Sequence, residues 1–217
     1  MITSPLISVI MPAYNAAAFI TEAIQSVLMQ DYQHWELLII NDGSKDNTGQ
    51  LIEKFNDPRI RTFHTENRGV SKARNLGLAE MHGDYFAFLD ADDVYLPSSL
   101  SSRLAVFQND DRVTFVDGAV EVINGNRGTV VRHYRPDFYG NPRSELLALN
   151  GRCFINVSWM VKRLLTVVYQ FPEHMTHGED FVFFCWYFRE RNLCLHLRNH
   201  HENKALQRFG HVQFKST

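Results

Sequence analysis

Strand and helix signals alternate regularly over roughly the first ninety residues of this chain, the pattern of a parallel sheet covered by helices. Leu6 to Met11 is a buried-strand run stopped by Pro12, and Ile20, Ala23, Ile24, Val27 and Leu28 then fall on one helical face. Trp35 to Ile40 predicts a second strand, followed at once by the turn chemistry of Asn41-Asp42-Gly43-Ser44. Leu51, Ile52 and Phe55 mark a helix that Asp46 or Asn47 caps, and Ile60 to Phe63 a third strand. A helix over Ser71–Met81, with Ala73, Leu76 and Gly77 inward and Gly83 closing it, leads to a fourth strand over Tyr85–Leu89.

Beyond Pro97 the alternation fades. A helix is expected over Leu100–Phe107, a strand over Val113–Val116, a hairpin across Asn124-Gly125-Asn126, an aromatic-rich helix over Glu179–Arg191 and a short strand over Leu193–Leu197, with a polar tail from His200. This half is either a separate lobe or an extension of the sheet.

A chain of 217 residues that is 45% hydrophobic can bury a full core. Its 22 Lys and Arg against 24 Asp and Glu leave a formal charge of -2, so no global field holds nucleic acid or an anionic membrane, and any anion site must be local. Cys153, Cys185 and Cys194 are odd in number and fit no metal spacing, which favours a reducing compartment and a core-filling role. No apolar run reaches the roughly 18 residues of a membrane span, and no signal-peptide plan opens the sequence. The expectation is a cytoplasmic protein without a transmembrane segment. Association with the inner face of the membrane through a partner or a lipid-linked substrate is compatible with the composition, as is a homodimer.

In open parallel sheets, ligands bind beyond the carboxyl ends of the strands, so polar clusters just after strands carry the most weight. Three occur here: Pro12-Ala13-Tyr14-Asn15 after the first strand, Asn41-Asp42-Gly43-Ser44 after the second, and Asp90-Ala91-Asp92-Asp93 after the fourth. All three are expected to open onto one edge of the sheet and to form one pocket together. Asp42 suits the donor edge of a nucleobase and Tyr14 its face, although Asp-Gly after a strand is also ordinary turn chemistry. Three carboxylates in four positions repel one another, and a hard divalent cation, Mg²⁺ or Mn²⁺, supplies the missing charge with one or two carboxylates, water and substrate phosphate as ligands. An extended backbone puts Asp90 and Asp92 on one side and Asp93 elsewhere. The alternative is a solvated acidic loop that caps the next helix.

Lys72 and Arg74 sit in the first turns of the helix after Asn67-Arg68-Gly69, where a helix N-terminus and two cations suit phosphate, unless they are merely solvated. Neither the dinucleotide fingerprint nor the P-loop pattern occurs. Glu179-Asp180 opens the aromatic helix, where the helix N-terminus favours an ionised acid and aromatic desolvation opposes it, so either acid serves as a general base or as an N-cap. His174, His177 and Glu179 also read as a metal triad, without the helix signature that usually accompanies one.

Taken together, these motifs make the sequence resemble the family 2 inverting glycosyltransferases of the GT-A fold. The resemblance rests on Ile7 to Asn15, on Trp35 to Ser44 with Asp46 and Thr48, on Asn67-Arg68-Gly69, on Ala73-Arg74-Asn75, on Phe88 to Asp93 and on Gly178-Glu179-Asp180, in order and spacing over about the first ninety-five residues. It implies a GT-A, Rossmann-like, mostly parallel central sheet flanked by helices, with a smaller acceptor-side extension. Residues 1–95 would be the nucleotide-sugar-binding half and 96–217 the half that binds the acceptor and carries the base. Pro12, Ala13, Tyr14, Asn15 and Asp42 would hold base and ribose of a UDP-sugar, with Lys72 and Arg74 at the phosphates. Asp90 and Ala91 would lie at the ribose, and Asp92, with Asp90, would ligate Mg²⁺ or Mn²⁺. Asp180 would deprotonate a hydroxyl of a sugar or lipid-linked glycan acceptor, inverting the anomeric centre in polysaccharide or glycan synthesis. Asn41 replaces a second acid common in relatives, and His200-His201-Glu202-Asn203 only loosely matches their diphosphate-closing motif.

Two other functions fit some of these residues. A haloacid dehalogenase-type hydrolase also uses Asp-x-Asp after a strand, but after the first strand and followed by Thr or Val. A catalytically dead sugar- or nucleotide-binding module is the non-enzyme alternative, against which intact Asp92 and Asp180 count.

Overall fold

The computed structural model describes residues 4–124, 129–134, 139–148, 159–187 and 193–196. The first half runs β1 (Ile7–Ala13), α1 (Ile20–Leu28), β2 (Trp35–Asp42), α2 (Thr48–Ile52), β3 (Ile60–Thr65), α3 (Val70–Glu80) and β4 (Tyr85–Phe88). β1 lies between β2 and β4 and is parallel to both, while β3 extends the sheet beyond β2, also in parallel. Every residue of β1 and β2 is buried, which is why both read as near-continuous apolar runs rather than alternating ones.

The second half runs α4 (Ser99–Asn109), β5 (Val113–Asp117), β6 (Val120–Asn124), β7 (Thr129–Tyr134), β8 (Tyr139–Gly140), α5 (Arg143–Ala148), β9 (Met160–Lys162), α6 (Glu179–Tyr187) and β10 (Leu193–His196). Of the two arrangements open to this half, the fold adopts the extension. β9 enters antiparallel between β4 and β5, with Val161 opposite both Phe86 and Phe115, and β10 and β8 continue outward. The result is one mostly parallel eight-stranded sheet in the order β3-β2-β1-β4-β9-β5-β10-β8. β6 and β7 pair as a separate antiparallel hairpin whose turn lies outside the described residues.

The period-2 alternation of the strands divides the core between the two faces of the sheet. Ile7, Val9 and Met11 with Leu37 and Ile39 pack under α1 and α4, while Ile10, Leu38 and Ile40 face α3 and the aromatic residues Phe171, Phe183 and Phe184. α3 lies very close to the sheet because it carries Gly77, where a Cβ would sit 2.4 Å from Ile10 Cγ2. Gly83 does not close α3 as a left-handed cap. The helix stops at Glu80, Met81 is already extended, and a Cβ at Gly83 would meet Ser8 Oγ at 2.6 Å, so close approach to β1 explains this glycine.

α6 begins at Glu179 as expected, and the part of that helix expected beyond Tyr187 lies outside the described residues. The same is true of Cys153, of the Cys194 side chain and of the tail with His200 to Asn203, whereas Cys185 packs partly buried against the aromatic core. No helix among the described residues is long and apolar enough to cross a membrane.

Candidate active site

Parallel strands deliver their carboxyl ends to one edge, and the register of β1 on β2 brings Ala13 opposite Asn41. A cleft of about 470 Å³ opens there, lined by Pro12, Ala13, Tyr14, Asp42, Arg74 and the run Asp90-Ala91-Asp92, among others. Residues from three strand ends and one helix thus share a single concave surface. Tyr14, 46% exposed, stands at its edge.

The β1 and β2 loops are locked together by side chains that look like ordinary turn residues. Ala16 N–H donates to Thr48 Oγ1 at 2.8 Å and Ala17 N–H to Asp46 Oδ2 at 3.1 Å. Asp46 Oδ1 in turn accepts from the Thr48 N–H and hydroxyl, so Asp46, rather than Asn47, caps α2. Asn15 belongs to this brace: its N–H donates to Ser44 Oγ at 3.0 Å, its Oδ1 accepts from Lys45 N–H at 2.8 Å, and its φ is 49°. It is not part of the cleft lining.

Asp42 is 4% exposed and accepts three hydrogen bonds, from Arg68 N–H at 2.9 Å, Gly69 N–H at 2.8 Å and the Thr65 hydroxyl at 3.2 Å. It therefore shapes the entry to α3 while its carboxylate still borders the cleft. A carboxylate offers about four acceptor positions, so one remains for a ligand.

Arg74 and Lys72 part company. Two residues apart on a helix, they point about 200° away from each other. Arg74, 3% exposed, turns into the cleft, whereas Lys72 is exposed and lines a second cavity of about 580 Å³ with Glu66, Arg68 and Glu173. The structure thus separates the two cations that the sequence suggests as a phosphate pair.

The guanidinium of Arg74 is the hub of the site. It donates to Asp90 Oδ1 at 3.0 Å, Asp180 Oδ1 at 2.8 Å and Glu179 Oε1 at 3.4 Å, joining the end of β4 to the start of α6. Burial alone would lower its pKa, but Asp90, Asp180 and Glu179 together hold it above the ordinary value. Three acids surround one cation, which leaves an excess of negative charge. Burial pushes Asp180 up to about 6, Asp90 and Glu179 add to the rise, and Arg74 pulls against it. An acid so placed accepts a proton near neutral pH.

At the acidic run the backbone is not extended. Asp93 N–H donates to Asp90 O at 3.0 Å, closing a turn across Ala91 and Asp92, yet Asp90 and Asp92 still line the cleft and Asp93 is buried away from it. No group of three or more His, Cys, Asp or Glu suited to a metal exists among the described residues, and His174, His177 and Glu179 form none. Two carboxylates facing an open cleft nevertheless fit a cation that takes most of its ligands from water and substrate phosphate.

A strap joins β9 to α6 and carries no helix or strand signature in the sequence. Residues 163–178, without helix or strand, run along α3 from its end to its beginning and carry Glu179 and Asp180 into place. Arg163 Nη1 donates to Met81 O at 3.1 Å, and Asn75 takes both backbone groups of Phe171, donating to its carbonyl at 3.1 Å and accepting from its N–H at 2.7 Å. Only the adjacency of Asn75 to Arg74 hints at this in the sequence.

Comparison with known proteins bears on this arrangement. The model of the family "Glycosyl transferase family 2" matches residues 8–167. The Escherichia coli UDP-Glc:alpha-D-GlcNAc-diphosphoundecaprenol beta-1,3-glucosyltransferase WfgD is 32% identical over 191 residues, covering 87% of this chain and 72% of WfgD. An uncharacterised Rickettsia felis glycosyltransferase is 39% identical over 136 residues, 61% of this chain but only 22% of that protein. The chain spans 19–22% of the length of the first Rickettsia relatives it matches. Staphylococcus aureus TarS 1-349, solved in complex with UDP-GlcNAc, superposes with a TM-score of 0.72 at 24% identity, covering 97% of this chain and 61% of TarS 1-349. The mannosyltransferase PcManGT of Pyrobaculum calidifontis, solved with GDP-Man and Mn²⁺, gives 0.66 at 20% identity, covering 96% of this chain and 57% of that one. The architecture is that of the GT-A glycosyltransferases, and by the extent of these sequence matches the chain belongs to glycosyltransferase family 2.

Proposed function

We propose that this protein transfers a sugar from a UDP-sugar to an acceptor hydroxyl with inversion of the anomeric carbon. The observation that carries the reading is the Arg74 hub, which holds Asp90 of the cleft and Asp180 of α6 on one guanidinium. Donor site and base are thereby fixed against each other. WfgD uses UDP-Glc and TarS binds UDP-GlcNAc, which favours uridine as the base.

In this reading Pro12, Ala13 and Tyr14 frame the uracil, whose donor edge meets the remaining acceptor position of Asp42. Asn15 contributes by holding the loop in shape. Asp90 and Ala91 lie at the ribose, and Asp92 with Asp90 would hold Mg²⁺ or Mn²⁺. That cation, when bound, supplies charge stabilisation to the departing diphosphate. Asp180 accepts the acceptor hydroxyl proton as the oxygen attacks the anomeric carbon from the face opposite the diphosphate. The new C–O bond forms as the bond to the β-phosphate oxygen breaks, and UDP leaves. Arg74 orients Asp180 and keeps it from being held protonated at neutral pH. Lys72 has no part in this pocket.

Residues 1–95 serve the donor in this scheme, and 96–217 supply the acceptor wall and the base. The acceptor of WfgD is a diphosphoundecaprenol-linked sugar, which supports a lipid-linked glycan here and an enzyme working at the inner, cytoplasmic face of the membrane. Calorimetric titration with UDP and GDP, each with and without Mn²⁺, tests the donor assignment. Metal-enhanced binding of UDP over GDP is expected. Equal affinity for the two nucleotides would remove the uridine assignment, and no binding of either would remove the donor site itself.

A further inference from the structure

We infer that Asn75 is a positioning residue for the base, acting through the strap that carries it; the inference rests on the assignment of Asp180 as that base. Consecutive residues of α3 grip the strap at two points. Asn75 closes a two-way hydrogen-bonded pair with the backbone of Phe171, and its Nδ2 also donates to Glu173 Oε1 at 3.0 Å. Arg74 holds Glu179 and Asp180 directly, and its guanidinium carbon lies 5.3 Å from the Phe171 ring centroid.

The strap needs such a grip. An irregular segment of this length inside a compact fold has few backbone hydrogen bonds of its own, and every ordered residue in it costs conformational entropy. Its first part is held by other groups: Arg163 donates to Met81 O just after α3, and Gln170 N–H donates to the Tyr187 hydroxyl of α6 at 2.7 Å, while Leu164 N–H on the Tyr169 hydroxyl closes a loop within the strap itself. Between Gln170 and Glu179, Asn75 ties the strap to the sheet-bound helix α3 through the carbonyl and N–H of Phe171 and the carboxylate of Glu173. The Phe171 ring adds an anchor, stacked on Phe183 at 4.0 Å with an interplanar angle of 9°. Apolar stacking lets a chain slide, whereas a two-way amide pair fixes its register. Asn75 therefore sets where the strap stands along α3, and Arg74 receives Asp180 only in that register. Asparagine suits the task because one planar amide both donates and accepts, reproducing a strand partner for a single residue.

Three readouts on the full chain separate this role from simple support of the fold: UDP affinity with Mn²⁺, amide hydrogen exchange by peptide, and UDP release from UDP-glucose with water as acceptor. For Asn75→Ala we expect UDP affinity within about twofold of wild type, exchange faster by on the order of tenfold in peptides covering 169–180 and unchanged in β1 and β2. UDP release should fall about 10- to 100-fold in kcat with KM for UDP-glucose unchanged. Asn75→Asp places a carboxylate against Glu173 and should be worse than Asn75→Ala, and adding Glu173→Gln, which can donate to that carboxylate, should restore part of the exchange protection. Unchanged exchange over 169–180 in Asn75→Ala overturns the inference, as does a uniform rise in exchange that includes β1 and β2. Asp180→Asn is the control: retained UDP release there overturns the base assignment and this inference with it, whereas unchanged strap exchange in Asn75→Ala overturns the inference alone.

Discussion

Arg74 on α3 and Asp180 on α6 are 106 positions apart in sequence and meet at 2.8 Å, with the arginine almost fully buried. This pair ties the helix that borders the cleft to the helix that carries the proposed base. The same guanidinium reaches Asp90 at 3.0 Å, so neither acid can move without disturbing the other.

Arg74→Gln leaves acids facing one another around an empty hub. Removing one partner of a buried pair costs about 3 kcal/mol of stability, and Arg74→Lys recovers little of it because one ammonium cannot span both sides of the site. Denaturant midpoints of the two variants check this, with turnover expected to fall in both.

Asp180 gives stability a defined pH dependence. Its folded pKa of about 6 lies above its ordinary 3.8, so the folded state binds the extra proton between these values and loses stability as pH rises through them. Asp180→Asn should therefore stabilise the protein by up to about 3 kcal/mol above pH 6 and have little effect below pH 4. Thermal denaturation at pH 4 and pH 7.5 measures the difference.

As the proposed base, Asp180 must be ionised to act, so the acid limb of kcat/KM should fall near pH 6 at low divalent cation. A cation at Asp90 offsets the negative charge around Asp180 and should move the limb to lower pH. Arg74→Gln should move it higher. A pH–rate series with and without Mn²⁺ reads both directions.

Thr48→Val tests the loop brace. Thr48 is fully buried, and losing its hydroxyl leaves the Ala16 N–H without the acceptor it has at 2.8 Å, at a cost of about 1–3 kcal/mol. Because that brace holds the Pro12–Tyr14 loop, UDP affinity should weaken in step with stability, which calorimetry and denaturation on the same variant compare.

Much of the first half was legible in sequence because β1 and β2 are buried on both faces and the residues that face the cleft follow the strands directly. Pro12, Tyr14, Asp42, Asp90 and Asp92 reach one cleft for that reason. Lys72 does not, since strand-end logic says nothing about the azimuth of a residue on a helix, and Asn15 goes to the brace because its partners Ser44 and Lys45 lie in another loop. β9 has three residues and takes its place from β4 and β5 rather than from any local pattern. The Asn75–Phe171 pair spans 96 positions, a contact that propensity and periodicity cannot register.

In the proposed mechanism, donor binding at Asp90 and Asp92 is separate from proton removal at Asp180. Turnover of a UDP-sugar by Asp180→Asn, with UDP·Mn²⁺ affinity measured on the same preparation, tests it most directly. Affinity within about twofold of wild type and a loss of transfer of at least about 10²-fold are expected from that mechanism. Near-normal transfer, or loss of UDP binding together with transfer, would contradict it.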